Sequence, residues 1–428
     1  VNNMARDIPG AVSRRSVLGS ARFQLAVGWI VAALLPALVR FGFDPGSFAR
    51  DAPAKLSIVG AMIGITIGIY LARRMGSFPG AQSLTYVIPA FLLSFGGVAF
   101  AFFVLRLPYS RGLIAACFIL SVLTFFWIGV LLLRRQRVHL YMVPGGRVEH
   151  VKAISGVDCV PMAEPVVPLD RHSAIVADLH HDLDPAWERM LAVAALSGRP
   201  VYHFKQISES LTGRVQIEHL SENSFGSLVP NLAYHKLKRL ADVALCLVLL
   251  PILALPMALV ALAIRLDSPG PIFFRQERTG YGGVLFRVVK FRTMVNGGEV
   301  ASRDAAITRD NDARITKLGR FLRKSRIDEL PQLFNVLRGE MSWIGPRPEA
   351  VPLSRWYEAE LPFYVYRHIV RPGITGWAQV NQGHVAELAD VDVKLQYDFY
   401  YIKNFSAWLD LLIALRTVKI ILSGFGAR

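Results

Sequence analysis

Apolar residues fall into four long blocks in the first third of the chain: Phe23–Val39, Leu56–Leu71, Leu84–Leu105 and Leu113–Leu133. Each approaches the roughly 20 residues that a helix needs to cross a bilayer's hydrocarbon core, so the pattern predicts four transmembrane helices. No ionisable residue stands in the middle of a block, where it would mark an ion or proton path. The four spans are therefore expected to be an anchor and a surface for pairing as a homodimer, not a transporter. Further spans follow the first block and no small-residue cleavage site stands out, so it does not read as a signal peptide. From Val138 to about Pro230 the pattern changes to short β-rich runs alternating with a helical one. His139–Val143, Ser173–Ala177 and Arg199–Phe204 read as strands and Trp187–Leu196 as a helix, which predicts a small α/β unit of βαβ type. A fifth apolar run, Leu240–Leu266, contains Pro251 and Pro256, and prolines kink helices.

Charge gives these blocks an orientation. Arg14, Arg15 and Arg22 precede the first span, Arg73 and Arg74 follow the second, and Arg134, Arg135 and Arg137 follow the fourth, while Asp44 and Asp51 sit in an outer loop. The positive-inside rule then places the N-terminus and everything after the fourth span in the cytoplasm. The Leu240–Leu266 run has basic residues on both flanks, Lys236, Lys238 and Arg239 before it and Arg265, Arg275 and Arg278 after it. That distribution suits a helix that enters and returns on one face, so a re-entrant helix-break-helix bent near Pro256 is expected.

The overall charge of +16, with 53% hydrophobic and 19% charged residues, fits membrane segments joined to polar domains. The basic residues gather at span edges and in short polar motifs, which favours an anionic membrane face and phosphorylated substrates over nucleic acid. Cys117, Cys159 and Cys246 are scattered, with neither metal spacing nor a disulfide framework, as in a reducing compartment. In the α/β segment the first strand is followed by Pro144-Gly145-Gly146 without the fingerprint G-x-G-x-x-G. His180-His181 with Asp182 and Asp184 reads as a solvated loop, because no further Cys or His stands at ligand spacing. No cofactor is expected in this segment, which reads as regulatory or as an assembly domain.

The chemistry is concentrated after the fifth run. Ser268-Pro269-Gly270-Pro271, Arg275-Gln276, Lys290–Met294 (KFRTM), Thr316–Gly319 (TKLG), Arg323–Gln332 (RKSRIDELPQ), Gly345–Glu349 (GPRPE), Arg371–Gln379 (RPGITGWAQ) and Tyr397–Tyr401 (YDFYY) follow in order. Leu330, Leu333, Phe334 and Leu337 repeat at helical spacing. The pattern predicts a helix capped by Asp328, with Pro331 in its first turn. Asp328 and Glu329 would then stand at a helix N-terminus, where anions such as phosphate are favoured. They would point in different directions, so that one can attack while the other holds a metal ion. Lys317, Arg320, Arg323 and Lys324 form a basic surface upstream, of the kind a diphosphate requires. An Asp-Glu pair taken alone is more often a simple cap.

From Lys236 to Leu422 these motifs, in this order, resemble the bacterial sugar transferases, the monotopic phosphoglycosyl transferases that start glycan assembly on undecaprenyl phosphate. The full layout is similar to the larger polyprenol-phosphate hexose-1-phosphate transferases. The resemblance implies a membrane protein with an α-helical four-span bundle (1–137), a cytoplasmic α/β, Rossmann-like domain (138–230) and a mostly α-helical catalytic domain (231–428) with a re-entrant helix at about 240–266. It implies Asp328 as nucleophile, Glu329 as ligand of Mg2+, Lys290 as the essential lysine, and Arg323 and Arg347 as phosphate- and nucleotide-binding arginines. A further functional aspartate falls on Asp398. The family's helix breaks at a Ser-Pro pair, where this chain has Leu255-Pro256. The expected reaction moves a hexose 1-phosphate from a UDP-sugar, UDP-glucose first, to undecaprenyl phosphate at the bacterial inner membrane, with release of UMP. Two rivals remain: a catalytically inactive scaffold of polysaccharide assembly, and a transferase that uses its carboxylates only for magnesium.

Overall fold

The computed structural model describes residues 17–423 apart from 43, 77, 79–85, 136–138, 153, 155–157, 169–173, 218–229, 231, 296–313 and 383–387. The basic residues Arg14, Arg15 and Arg137 used above for orientation lie outside the described residues, as does Ser173. The chain divides into two compact units, Val1–Gly213 and Arg214–Arg428.

In the first unit the apolar blocks form α1 (Ala21–Phe41), a short α2 (Pro45–Arg50), α3 (Ala52–Met75), α4 (Val87–Val104) and α5 (Arg111–Arg135). The four long helices share one apolar core around Ile65, Phe91, Phe95, Cys117 and Phe125. Ser20 caps α1 by accepting from the Phe23 N–H, and its middle turn, Gly28–Leu34, is π-helical. That widened turn meets Pro36, which has no N–H to offer. Gly60, Gly64 and Gly68 of α3 face Phe102, Phe95 and Phe91 of α4 so closely that a Cβ at Gly60 would lie 2.5 Å from Phe102. Small residues at this spacing let helices pack by van der Waals contact, the main attraction left between helices in lipid. Large apolar side chains such as Ile63, Leu92, Phe100 and Trp127 point outward and are exposed.

The α/β segment of the same unit is a four-stranded sheet: β1 (His139–Met142), β2 (Asp158–Pro161), β3 (Ala174–Ala177) and β4 (Val201–His203), in the order β2-β1-β3-β4. All neighbours are parallel, with Leu140 opposite Ala174 and Ile175 opposite Val201. Ile175 and Ala177 face α6 (Pro185–Leu196), while Ala174 and Val176 face α7 (Phe204–Thr212). The sheet is therefore covered on both faces, as parallel sheets require. Its edge strand β2, Asp158–Pro161, is mostly exposed, and its four residues, ending in proline, do not alternate between apolar and polar as a readable strand would.

The second unit opens with α8, one helix from Leu232 to Asp267 with both Pro251 and Pro256 inside it. The expected interruption at Pro256 is absent from this helix. Each proline removes only one backbone bond, and a wider break would leave further polar groups unpaired in apolar surroundings. One face of α8, with Cys246, Leu253, Met257, Val260 and Ile264, joins the core of the unit. Leu247, Ile252, Leu255, Leu259 and Leu262 on its other faces are exposed. The antiparallel pair β5 (Phe273–Thr279) and β6 (Leu285–Phe291) follows. Then come α9 (Lys317–Lys324), a 3-10 turn at Ile327–Gln332 and α10 (Leu333–Arg338). β7 (Ser342–Ile344) pairs in parallel with β8 (Gly373–Thr375). The remaining helices of the unit are α11 (Val351–Glu360), α12 (Trp377–Asn381), α13 (Leu388–Lys403) and α14 (Ala407–Ser423).

Candidate active site

Asp328 and Glu329 do not open an α-helix. They lie in the 3-10 turn, preceded by Arg326 in the left-handed region (φ 58°), and α-helical bonding begins only at Leu333. Pro331 lies inside this turn, where its missing N–H leaves no helical bond unmade. The cap expected at Asp328 is thus replaced by a tighter turn that buries both carboxylates, leaving Asp328 8% and Glu329 7% exposed.

Three segments bring cations to Glu329. Lys290, next to last in β6, donates to Glu329 Oε1 at 3.0 Å, and Arg347, in the turn after β7, donates to the same oxygen at 2.8 Å. Arg326 stands 3.9 Å from it. Lys290 is aimed by an unforeseen residue, the fully buried Asn335 of α10. Asn335 Oδ1 accepts from Val289 N–H at 3.0 Å and its Nδ2 donates to the Arg287 carbonyl at 2.8 Å, so α10 is bound to the strand beside Lys290. Burial opposes ionisation of Glu329, but Arg347 and Lys290 outweigh it and hold the carboxyl well below its usual range. Burial pushes Lys290 down to about 8 against the pull of Glu329, with Arg347 and Arg278 adding to the fall. At neutral pH the pair is therefore ionic.

Asp328 is different. Its Oδ1 is buried and has no hydrogen-bond partner. Burial raises its pKa above the ordinary carboxylate value, and the charge of Glu329 adds to the rise while Lys290, Arg347 and Arg326 oppose it. A buried acceptor without a partner is costly, and Asp328 Oδ1 shares that state with Asp398 Oδ1 behind it. The adjacent carboxylates thus have separate environments, one clamped by cations and one with an oxygen that has no partner.

The remaining expected residues occupy distinct places. Arg323 of α9 donates through Nε to Thr293 Oγ1 of the KFRTM motif at 2.9 Å. The helix α9 approaches this motif so closely that a Cβ at Gly319 would lie 2.1 Å from the Thr293 carbonyl oxygen. Asp398 is 1% exposed and accepts from Arg367 Nη2 at 2.8 Å, and the same nitrogen donates to the Arg347 carbonyl at 2.8 Å. Asp398 therefore reaches the dyad through Arg367 and the backbone of Arg347. Pro256 lies inside α8. Arg278, whose Nη1 donates to the Pro348 carbonyl, and Glu349, which accepts from Lys394, complete the charged surroundings. Burial and Arg347 depress Arg278 to about 10. No periodic signal could have selected Arg326, Arg367 or Asn335, because their roles depend on partners brought in by the fold.

The second oxygen of Glu329 is a hard carboxylate donor, the type Mg2+ prefers. The cations converge on Oε1, so the residues present fit such an ion.

Residues 233–424 match the family model described as bacterial sugar transferase. Over 404 residues the chain is 43% identical to a UDP-N-acetylgalactosamine-undecaprenyl-phosphate N-acetylgalactosaminephosphotransferase of Aeromonas hydrophila, covering 94% of this chain and 95% of that protein. It is 45% identical over 187 residues to a UDP-glucose:undecaprenyl-phosphate glucose-1-phosphate transferase of Xanthomonas campestris pv. campestris, covering 43% of this chain and 38% of that one. A Caulobacter vibrioides protein of the same description is 43% identical over 200 residues, 46% of this chain and 74% of its own length.

Proposed function

Since this chain belongs to the bacterial sugar transferases, the polyprenol-phosphate sugar-1-phosphate transferases, we propose that it moves a sugar phosphate from a UDP-sugar to undecaprenyl phosphate through a covalent intermediate on Asp328. The observation that carries this reading is the unbonded, buried Asp328 Oδ1 beside a Glu329 held by three cations. Asp328 Oδ1 attacks the β-phosphorus of the donor, and the bond from that phosphorus to the bridging oxygen breaks. UMP leaves with the electron pair, and a sugar phosphoryl-aspartate remains. A phosphate oxygen of undecaprenyl phosphate then attacks the same phosphorus and returns Asp328 to its carboxylate form. The products are UMP and the lipid diphosphosugar.

Lys290, Arg347 and Arg326 offset charge that develops on the phosphoryl oxygens, in a site where burial strengthens each interaction. Glu329, through its second oxygen, would hold Mg2+, with Asp328 beside it. When bound, the ion supplies Lewis-acid stabilisation to the phosphates. Arg323 and Asp398 lie farther back, Arg323 on the KFRTM loop and Asp398 as the support of Arg347.

The donor we favour is UDP-N-acetylgalactosamine over UDP-glucose. The relative named for it matches across 94% of the chain, whereas the Xanthomonas relative named for glucose matches over 43%. The acceptor reaches the site at a membrane face that α8 enters without crossing. Support comes from both ends of α8 being tied to one unit: Arg239 donates to the carbonyls of Val336 and Leu337, and Arg292 donates to the carbonyls of Ile264 and Ser268. The catalytic face is then cytoplasmic, at the bacterial inner membrane.

Purified protein is incubated with magnesium and each UDP-sugar, first without and then with undecaprenyl phosphate. The expected result is UMP release in proportion to enzyme without acceptor, fastest with UDP-N-acetylgalactosamine, followed by turnover when acceptor is added. No UMP release from any donor, even with acceptor present, would establish the scaffold reading. UMP release only with acceptor would establish direct transfer.

A further inference from the structure

We propose that Asp178, His180 and His203 of the α/β domain form a binding site for a single zinc ion. The three come from the C-terminal ends of β3 and β4, next to the loop that follows β1. From β1 the chain goes to β2 on one side and then to β3 on the other. The crevice between β1 and β3 is thus the switch point at which open parallel sheets place their ligands.

The distances fit a tetrahedral ion. His203 Nε2 lies 2.9 Å from His180 Nδ1 and 3.5 Å from Asp178 Oδ1, and the ligand atoms of all three residues lie within 4.8 Å of one another. Zinc bonds of about 2.0–2.1 Å put neighbouring tetrahedral ligands about 3.3–3.4 Å apart, and the two close separations straddle that value. Two imidazoles and one carboxylate leave the fourth tetrahedral position to a water molecule.

The surroundings hold the carboxylate in place. Asp178 Oδ2 accepts from the Arg147 N–H at 3.1 Å and Oδ1 from the His180 N–H at 3.2 Å. Each oxygen keeps a lone pair, and such outer bonds fix metal-ligating groups. Gly146, at φ 61°, lets the β1 loop close on this carboxylate, since a Cβ there would lie 2.4 Å from Asp178 Oδ2. Without metal, His203 Nδ1 accepts from the Lys205 N–H at 3.1 Å and so caps α7. Zinc on Nε2 leaves the ring proton on Nδ1, which then cannot accept that bond. Metal binding is therefore coupled to the first turn of α7.

The test uses full-length protein in detergent, stripped with a chelator and titrated with Zn2+ against a chromophoric competitor. We expect one zinc per chain in the wild type that is weakened at least tenfold in His180→Ala and His203→Ala and retained in His181→Ala. His180 is exposed and caps no helix, so its variant keeps the fold even if His203→Ala does not. Subtracting His180→Ala from wild type also removes any zinc held at the dyad. Cobalt should give the visible absorption of a four-coordinate ion in the wild type, and zinc should accelerate hydrogen exchange at the Lys205 amide. Equal zinc affinity in wild type and His180→Ala, loss in His181→Ala, or an unchanged Lys205 amide would overturn the proposal.

Discussion

Asp328 and Glu329 are adjacent and equally enclosed, yet Glu329 Oε1 accepts from Lys290 and Arg347 while Asp328 Oδ1 accepts nothing. Asp328→Asn should therefore lower UMP release by roughly a thousandfold or more, as loss of a nucleophile does, and leave no phosphoryl-enzyme in an acid-quenched gel. Arg347→Ala removes one preorganised donor and should cost about 10²–10³ in kcat, read in steady-state assays. The proposed mechanism makes activity depend on pH through two groups of opposite sign. Lys290 must be charged, so activity is present below its lowered pKa of about 8 and falls as pH rises through it. Asp328 must be ionised, so activity falls as pH drops through its raised pKa. A pH–rate profile checks both limbs, and Lys290→Arg should move the alkaline limb upward. Asp398 makes a different prediction. Its buried pair with Arg367 should cost about 3–5 kcal/mol when broken by Asp398→Ala, visible as a lower Tm as well as lower kcat. A residue that only touched substrate would leave Tm in place.

Elements decide how these residues meet. The helical spacing of Leu330, Leu333, Phe334 and Leu337 located a helix, but its first turn, with Pro331 inside, has 3-10 geometry and the α-helix begins at Leu333. The carboxylates are consequently fixed by burial and by α10's attachment to β6 through Asn335, not by a cap. The membrane helices were plain from their length, while their packing was not: Gly60, Gly64 and Gly68 count as weak helix formers in sequence but fit under Phe102, Phe95 and Phe91. Gly60→Val should overpack that interface and destabilise the bundle by about 1–3 kcal/mol. The check is earlier aggregation on heating in detergent, with the UMP release per folded molecule unchanged. In the α/β domain the three apolar strands were legible, whereas β2, an exposed edge with Asp158 at its start, has no pattern to read.

At the scale of the whole molecule, the proposed mechanism requires the site to face the side of the membrane on which a nucleotide-sugar donor is available. Single cysteines placed at Lys236 and at Arg275, on either side of α8, should label from the same side in inside-out vesicles; labelling from opposite sides would mean that α8 crosses. The amino-acid sequence by itself determined the four long apolar helices and the α/β segment, and it marked Asp328-Glu329 only as one member of an ordered series of short motifs. Each depends on neighbours close in the chain: a run of apolar residues long enough for a bilayer, an alternation, a short polar motif. Only the tertiary structure decided which carboxylate oxygen is free. Lys290 and Arg347 reach Glu329 across 39 and 18 residues of chain, and His203 reaches His180 across 23. Such meetings are set by how sheets and helices pack and by which polar groups burial forces to find partners, and local periodicity carries no record of either.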